Sequence, residues 1–310
     1  MEILKNPNYD FLGKTKIFVT LSILFIATGV ATMATRGVRR GVEFSGGTQM
    51  IVKFTNAPDT DRVRKAVDKE ATGAVIQTYG ETEKHQVLVR VADANQEDLS
   101  AQAKRVLLAL SANYGDNPVT ESSTEIVGPV VGQDLTRKAI QLTCWGLLFQ
   151  LIYIAVRFKG AIWGSAAALA SLHDVLICVG FLALFNYEIT LNVIAALLTL
   201  VGYSVNDTIV IFDRARENLR QRRKEPIAKV LNDSVNQTLT RTLISNGTTL
   251  LSVLGLYLFG GEVLRSFAFT MVIGILVGTY STIFIATPLV VWWEGRNRPG
   301  PGATAAKAAL

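Results

Sequence analysis

The sequence predicts a membrane protein with six transmembrane helices and one α+β domain inserted between the first two helices. Hydrophobic residues make up 49% of the chain and charged residues only 18%, below the roughly 25% charged content of an average soluble domain. The apolar residues are also gathered into long runs rather than spread at helical or strand spacing. One polar segment of intermediate length separates the first run from the second. These three features favour several membrane spans with a single domain outside the lipid.

The six runs are each long enough to cross the hydrocarbon, which needs about 20 mostly apolar residues and at least about 17. They are Ile17–Met33, Ile140–Val156, Ala161–Phe185, Ile189–Phe212, Leu243–Phe259 and Phe267–Trp293. The third and fourth are joined by three residues only, which predicts an antiparallel hairpin. The first run ends near a small-residue pattern, Ala31–Ala34, typical of signal-peptide cleavage. An uncleaved span is favoured because the run exceeds a usual signal core.

Basic residues predict the orientation of the spans, since lysines and arginines concentrate on the cytoplasmic side. They precede the first span, lie between the second and third, fill the link between the fourth and fifth, and follow the sixth. All of these positions share one side if both termini are cytoplasmic. The formal net charge of +6 is thereby explained by topology, and nucleic-acid binding is not expected.

The external segment, residues 36–137, reads as a ferredoxin-like domain. Strands are predicted at Met50–Phe54, Ala74–Tyr79, Gln86–Val91 and Glu121–Val127, with helices at Thr60–Glu70 and Gln96–Leu110. The order β-α-β-β-α-β is that of a split βαβ unit. The remaining boundaries are residues 1–35 for the N-terminus and first span, 138–295 for the other five spans, and 296–310 for a flexible cytoplasmic tail.

Ionisable groups inside the spans are the candidate functional residues, because each costs about 2.5–3.5 kcal/mol on insertion scales and usually marks a pathway or a pair. Asp207 follows Asn206 in the fourth span, and Arg241 stands at the start of the fifth. Antiparallel helices place Asp207 and Arg241 at similar depth, which allows an ion pair. A movable arginine would let this carboxylate take up and release a proton. A static interhelical pair is the alternative.

Neutral polar residues surround these charges. Ser204 lies three residues before Asp207, on the same predicted helix face. Ser245, Thr248 and Thr249 follow Arg241 and give the fifth span a polar stripe. His173 and Asp174 lie halfway along the third span, where they fit either a further polar site or a contact that orients helices.

Several motifs resemble the SecF family of bacterial protein-export membrane proteins, and together they cover nearly the whole chain. They are Gly41–Thr48 (GVEFSGGT), Glu125–Gly132 (EIVGPVVG), His173–Asp174, Val201–Thr208 (VGYSVNDT), Phe212–Arg214, Arg216–Asn218, Arg241–Leu243 and Leu256–Gly261. Two departures are visible. Glu43 stands where the family has Asp, and Asn246 interrupts a stretch that is commonly Thr-Ser-x-Thr-Thr.

The resemblance implies a fold like half of a twelve-span RND (resistance-nodulation-division) exporter, with SecD supplying the other half. It implies an auxiliary subunit of the bacterial inner membrane, not an enzyme, that uses the proton motive force in late polypeptide translocation. Asp207 and Arg241 match the family's coupling pair. The implied partners are SecD, the SecYEG channel with SecA, and the unfolded exported polypeptide, with YajC and YidC as further candidates. No cofactor is expected; the coupling ion is H⁺, with Na⁺ as an alternative.

Two other functions compete with this interpretation. An RND-type exporter of small molecules or lipids shares the broad fold, although the domain of about 100 residues is small for a substrate portal. A non-transporting scaffold that stabilises the translocon would use Asp207 and Arg241 only as a structural pair. The scaffold predicts that neutral, size-matched replacements keep function, because family membership does not by itself assign a site's role.

Overall fold

The computed structural model describes residues 7–71, 74–79, 84–92, 98–158 and 161–297. Within these residues, six helical segments are long and apolar enough to cross a membrane. They consist of α1 (Thr15–Arg36), α5 (Pro129–Phe158), α6 (Ala161–Leu184), α7 (Leu191–Gln221), α8 (Ile227–Phe259), and α9 (Gly261–Ser281) continued by α10 (Thr287–Asn297). The predicted fold class, a six-helix bundle with an inserted α+β domain, is confirmed.

The inserted domain has the predicted ferredoxin-like topology. After the short helix α2 (Val42–Ser45) it contains β1 (Gly47–Phe54), α3 (Thr60–Val67), β2 (Val75–Tyr79), β3 (Gln86–Ala92), α4 (Leu99–Asn113) and β4 (Val119–Val127). The sheet order is β2-β3-β1-β4, with every neighbouring pair antiparallel. β1 and β2 are therefore parallel with β3 between them, as a split βαβ unit requires.

Local chemistry explains where the two domain helices begin. The carboxylates of Asp59 and Asp98 each accept two backbone N–H bonds from the first turn of α3 and α4, which satisfies groups that have no partner within the helix. Arg62 on α3 donates to both oxygens of Asp116, at 2.8 and 2.7 Å. The same guanidinium lies 4.4 Å from the centroid of the Tyr114 ring. This cluster closes the end of the domain where α3 and α4 meet.

The domain is attached to the membrane helices at the short connection between α6 and α7. The backbone N–H of Gly41 donates to the carbonyl of Ile189 at 2.8 Å, and the N–H of Ile189 donates to Arg39 at 2.9 Å. Arg90 on β3 forms an ion pair with Glu188, and both side chains are largely buried. The predicted three-residue hairpin between spans three and four is thus also the seat of the domain.

Helices α6, α7 and α9 form the buried centre of the bundle, whereas α1, α5 and α8 expose most of their apolar surface. Close approach of α1 and α6 depends on two glycines. A methyl group added at Gly29 would lie 2.7 Å from the Cα of Gly180, well inside the 3.5–4.0 Å of an ordinary carbon contact. Only glycine at both positions permits this crossing.

Four spans differ clearly from the predicted ones. Helix α5 begins at Pro129, eleven residues before the predicted start at Ile140. Helix α7 continues nine residues past Phe212, and α8 begins sixteen residues before Leu243, so most of the basic link between them is helical. The sixth span is not one continuous α-helix, because a π-helical turn, Thr282–Ala286, separates α9 from α10. A π-turn inserts one extra residue and changes which side chains face inward. Most of the predicted flexible tail, residues 298–310, lies outside the described residues.

Candidate functional site

Asp207 is buried in the middle of α7, with 5% of its surface exposed. Asn246 on α8 donates its Nδ2 to Oδ2 of Asp207 at 2.5 Å. The same amide nitrogen donates to Oγ1 of Thr279 on α9 at 2.7 Å. One asparagine therefore ties together the three helices that meet at this carboxylate.

Tyr203 fixes the orientation of that asparagine. Its hydroxyl donates to Oδ1 of Asn246 at 2.9 Å and lies 3.0 Å from Oγ1 of Thr249. Because the amide oxygen is occupied by a donor, the amide nitrogen must face Asp207 and Thr279. Asp207 is thus held by a neutral donor whose geometry is determined on both sides.

Arg241 does not form the predicted ion pair with Asp207. Its side chain is exposed on the surface of the chain, and in the described part of the protein Asp207 is in no salt bridge with a lysine or arginine. Arg241 still lies near enough to interact electrostatically with the carboxylate. Asn246, five residues after Arg241 on the same helix, is the hydrogen-bond partner of Asp207 in place of the predicted arginine.

Asn206 is also placed differently from the prediction. The residue is exposed, because one step along an α-helix turns the side chain by about 100° away from Asp207. Gly202, four residues earlier, is exposed on the same side, and a methyl group added there would meet no other helix of this chain within 4 Å. Asn206 and Arg241 therefore belong to the outer surface of the bundle rather than to its buried centre.

The polar stripe of α8 is only partly directed at Asp207. Thr249 is half-buried beside Tyr203, and the backbone carbonyl of Ser245 lies 3.2 Å from the tyrosine hydroxyl. Thr248 is exposed, and its hydroxyl donates to carbonyls of its own helix. Of the three predicted members, the structure brings Thr249 and the backbone of Ser245 to the site.

Asp174 on α6 is the centre of a second buried network and is 1% exposed. Its Oδ2 accepts from Ser204 on α7 at 2.7 Å and from Ser281 on α9 at 2.9 Å. Its Oδ1 lies 2.9 Å from Nδ1 of His173. Ser204 was predicted to share the site of Asp207, but its hydroxyl points to Asp174 instead.

The second network extends to α1 through an aromatic side chain. The Tyr280 hydroxyl lies 3.4 Å from Nε2 of His173 and 3.1 Å from Oγ of Ser22. Thr208, which follows Asp207, meets Thr282 of the π-turn at 3.1 Å. The π-turn follows directly after Ser281, so the serine that binds Asp174 and the threonine that binds Thr208 are consecutive residues.

Sequence reasoning missed Tyr203, Asn246, Thr279, Tyr280, Ser281 and Ser22. Asn246 carried a signal, since it departs from the family pattern within the polar stripe of the fifth span. The hydroxyl residues carried a weaker one, because Ser and Thr are common in transmembrane helices and usually bond to their own backbone. Among the described residues, no group of three or more His, Cys, Asp or Glu side chains converges. Hydrogen-bond donors contact both carboxylates, Asn246 at Asp207 and the two serines at Asp174.

Comparison with known proteins gives consistent matches over almost the whole chain. Residues 107–296 match the family described as protein export membrane protein SecD/SecF, C-terminal, and residues 32–58 match the SecD/SecF GG motif. The protein translocase subunit SecF of Gemmatimonas aurantiaca is 41% identical over 305 residues, covering 96% of this chain and 90% of that protein. SecF of Calditerrivibrio nitroreducens is 42% identical over 294 residues, covering 94% and 96%.

A solved structure is similar in fold. The crystal structure of SecDF, a translocon-associated membrane protein from Thermus thermophilus, superimposes with a TM-score of 0.79 at 35% identity. The match covers 94% of this chain but only 39% of the SecDF chain. The chain therefore corresponds to a minor part of that longer protein.

Proposed function

The chain belongs to the SecF family of protein-export membrane proteins, and from that premise we propose that it uses the proton motive force to promote late polypeptide translocation. Membership makes it a multi-pass subunit of the bacterial inner membrane with an auxiliary role in Sec-dependent translocation and SecD as its partner. The proposed activity breaks no bond in the exported chain, so the protein is not an enzyme. The coupling ion in this proposal is H⁺.

One observation carries the proposal: Asp207 is a buried carboxylate in a transmembrane helix with a neutral partner. Asn246 donates to it at 2.5 Å, and the amide can donate equally to a carboxylate or to the second oxygen of a protonated acid. Burial of an ionised carboxylate in lipid is costly, and such residues usually serve a pathway. A group held this way can change protonation state without losing its hydrogen-bond partner.

Helix α7 connects this carboxylate to the α+β domain. Its first residue, Leu191, follows the Ile189 backbone that is bonded to the domain. Asp207 lies sixteen residues further along, or about 24 Å at 1.5 Å per residue. A shift or rotation of α7 on protonation would move the seat of the domain directly, which supports a mechanical link between the ion and the external domain.

The available energy suits a biased equilibrium rather than a long power stroke. One elementary charge crossing 100 mV yields about 2.3 kcal/mol, which shifts a two-state population by a factor of about 50. In this scheme each proton changes the occupancy of two positions of the domain. The domain then holds or releases the emerging polypeptide.

Arg241 and Asn206 complete the proposal at the surface that SecD is to cover. Both are exposed in this chain although they lie at or near the level of Asp207, and exposed polar side chains in lipid are unfavourable. A partner half of the twelve-span unit would bury them. Arg241 would then be a mobile cation between the halves that approaches Asp207 when the carboxylate is ionised.

The proposed arrangement in the cell follows the sequence topology. Both termini are cytoplasmic, and the α+β domain is on the external side where the unfolded polypeptide emerges. SecYEG with SecA supplies that polypeptide, and YajC and YidC are candidate neighbours. A crosslinker placed on the domain tests this arrangement by capturing an arrested precursor from outside the membrane.

The test of the central proposal is export of a secreted precursor in cells that lack their own SecF and receive SecD with Asp207→Asn in this chain. Asparagine keeps the size and can still accept from Asn246, but it cannot gain or lose a proton. Asp213→Asn is the matched control, because Asp213 lies on the same helix in an exposed ion pair with Arg157 at 2.8 Å. Membrane levels of both subunits are measured in parallel.

We expect export to fail with Asp207→Asn and to continue with Asp213→Asn while both complexes assemble. Normal export with Asp207→Asn would favour the scaffold function, for which the Asn246 bond is simply structural. Replacing Na⁺ by K⁺ at constant membrane potential separates the two coupling ions. Export that stops without Na⁺ would contradict proton coupling.

A further inference from the structure

We propose that Asp174, His173, Tyr280 and Ser22 form a second proton-binding chain, separate from Asp207, that takes up one proton by reversing the direction of its hydrogen bonds. The proton-binding chain crosses three helices, since Asp174 and His173 lie on α6, Tyr280 on α9 and Ser22 on α1. All four side chains are buried or half-buried. Its use during export rests on the proposed function, whereas its ability to bind a proton does not.

In the ionised state every donor of this network points towards Asp174. A carboxylate only accepts hydrogen bonds, so His173 must carry its proton on Nδ1 to bond Oδ1 at 2.9 Å. Its Nε2 is then an acceptor for the Tyr280 hydroxyl, and the Tyr280 oxygen accepts from Ser22. The two serines on the other oxygen, Ser204 and Ser281, also donate.

Addition of one proton at Ser22 leaves every contact of the chain satisfied. Ser22 passes its original hydroxyl proton to Tyr280, and Tyr280 passes its own to Nε2 of His173. The Nδ1 proton moves to Oδ1 of Asp174, which becomes a neutral carboxylic acid. In the product Asp174 donates to Nδ1, Nε2 donates to Tyr280, and Tyr280 donates to Ser22. One proton is gained, and the imidazole is neutral at both ends of the process.

The surroundings of Asp174 favour a proton over a metal cation. The other groups near it, among the residues that the structure describes, are Cys178 on α6, Ser204 on α7 and Ser281 on α9. The amide of Gln150 on α5 donates to Ser171 and to the carbonyl of Val201 instead. The carboxylate of α7, Asp207, is bonded to Asn246 instead. Hard cations prefer several oxygen ligands, whereas Oδ1 here faces a ring nitrogen.

The proton-binding chain reaches α1 on the face that packs tightly against α6. Ser22 and Gly29 are seven residues apart on one face of α1, and His173 and Gly180 have the same spacing on α6. The glycine pair sets the closest approach of the two helices. α1 leads into the α+β domain, and Ser22 lies fourteen residues before its last residue, Arg36, or about 21 Å at 1.5 Å per residue. Reversal of the Ser22–Tyr280 bond would therefore act on the helix that carries the first covalent connection of that domain, not at the connection itself.

The test is ¹⁵N NMR of histidine-labelled complex in lipid bilayers between about pH 9 and pH 5, a range that brackets the ordinary histidine value. The protein contains two histidines, and a difference spectrum against His173→Gln isolates the signals of the His173 ring. We expect a neutral Nδ1–H ring at high pH to become a neutral Nε2–H ring at low pH. Asp174→Asn should abolish the change, and Asp207→Asn, the same substitution in the other network, should preserve it.

Three results would overturn the proposal. The tautomer could stay constant over the whole range, or the ring could become doubly protonated in acid, which would place the proton on His173. The transition could also move with Na⁺ concentration at constant pH, which would indicate a metal cation at Asp174. The spectrum of the unmodified complex suffices if Asp174→Asn does not assemble. Because this readout does not involve export, its failure is distinct from failure of Asp207→Asn to block export.

Discussion

The bond between Asn246 and Asp207 predicts a measurable coupling energy between α8 and α7. Asn246→Ala removes the amide and Asp207→Ala removes the carboxylate, so a double-mutant cycle isolates their interaction. The contact is short, at 2.5 Å, and Asp207 is only 5% exposed. Hydrogen bonds between transmembrane helices average about 0.6 kcal/mol and reach about 1.7, and bonds to an ionised group are roughly twice as strong as neutral ones. We therefore expect about 1–2 kcal/mol of coupling.

The assay is reversible unfolding of the purified complex in mixed detergent micelles for the parent, both single variants and the double variant. Thr248→Ala is the matched control on the same helix, because its hydroxyl bonds only to carbonyls of α8. Its coupling to Asp207→Ala should be close to zero. If the cycle with Asn246 also gives zero, Asn246 does not bind the carboxylate, and the assignment of Asp207 to a neutral donor is wrong.

Three further predictions concern helix packing, the seat of the domain and acid stability. Gly29→Ala should destabilise the bundle by about 1–3 kcal/mol, because the new methyl would lie 2.7 Å from the backbone of α6. Gly255→Ala places its methyl where no other helix of this chain lies within 4 Å, so it should be neutral or stabilising in the same unfolding assay. Glu188→Gln should leave Arg90 without its buried counter-ion, at a cost of up to about 3 kcal/mol, seen as faster hydrogen exchange in β3 and unchanged exchange in α9. The hydrogen bond from Arg62 lowers the pKa of Asp116 in the folded protein. The stability that this bond contributes is therefore fully present above the pKa of the unfolded state, ~4, and is lost as pH falls through the pKa of the folded state. Asp116→Asn should flatten that acid dependence, and an unchanged profile would contradict the pairing.

The sequence was sufficient for the spans and for the topology of the domain. Lipid offers no hydrogen-bond partners, so a single segment can cross it only as a helix that bonds its own backbone. Such a helix is long and mostly apolar, which makes it recognisable in the sequence. The order of strands and helices in the domain can likewise be predicted, because apolar residues alternate along the strands and recur at three- and four-residue spacing along the helices. The limits of α7 and α8 were harder to predict, since their polar extensions past the lipid resemble an ordinary basic link.

The sequence also identified Asp207 and Asp174 as the intramembrane carboxylates, because charge in a span is rare whatever surrounds it. It could not determine their partners. Which side chain faces which depends on the rotation and crossing of each helix, and these are set by contacts far apart in the chain. The Gly29–Gly180 crossing and the π-turn after Ser281 are two such contacts. Only the tertiary structure therefore shows that Asn246 is the hydrogen-bond partner of Asp207 and Ser204 that of Asp174. It alone places Arg241 and Asn206 on the outer surface.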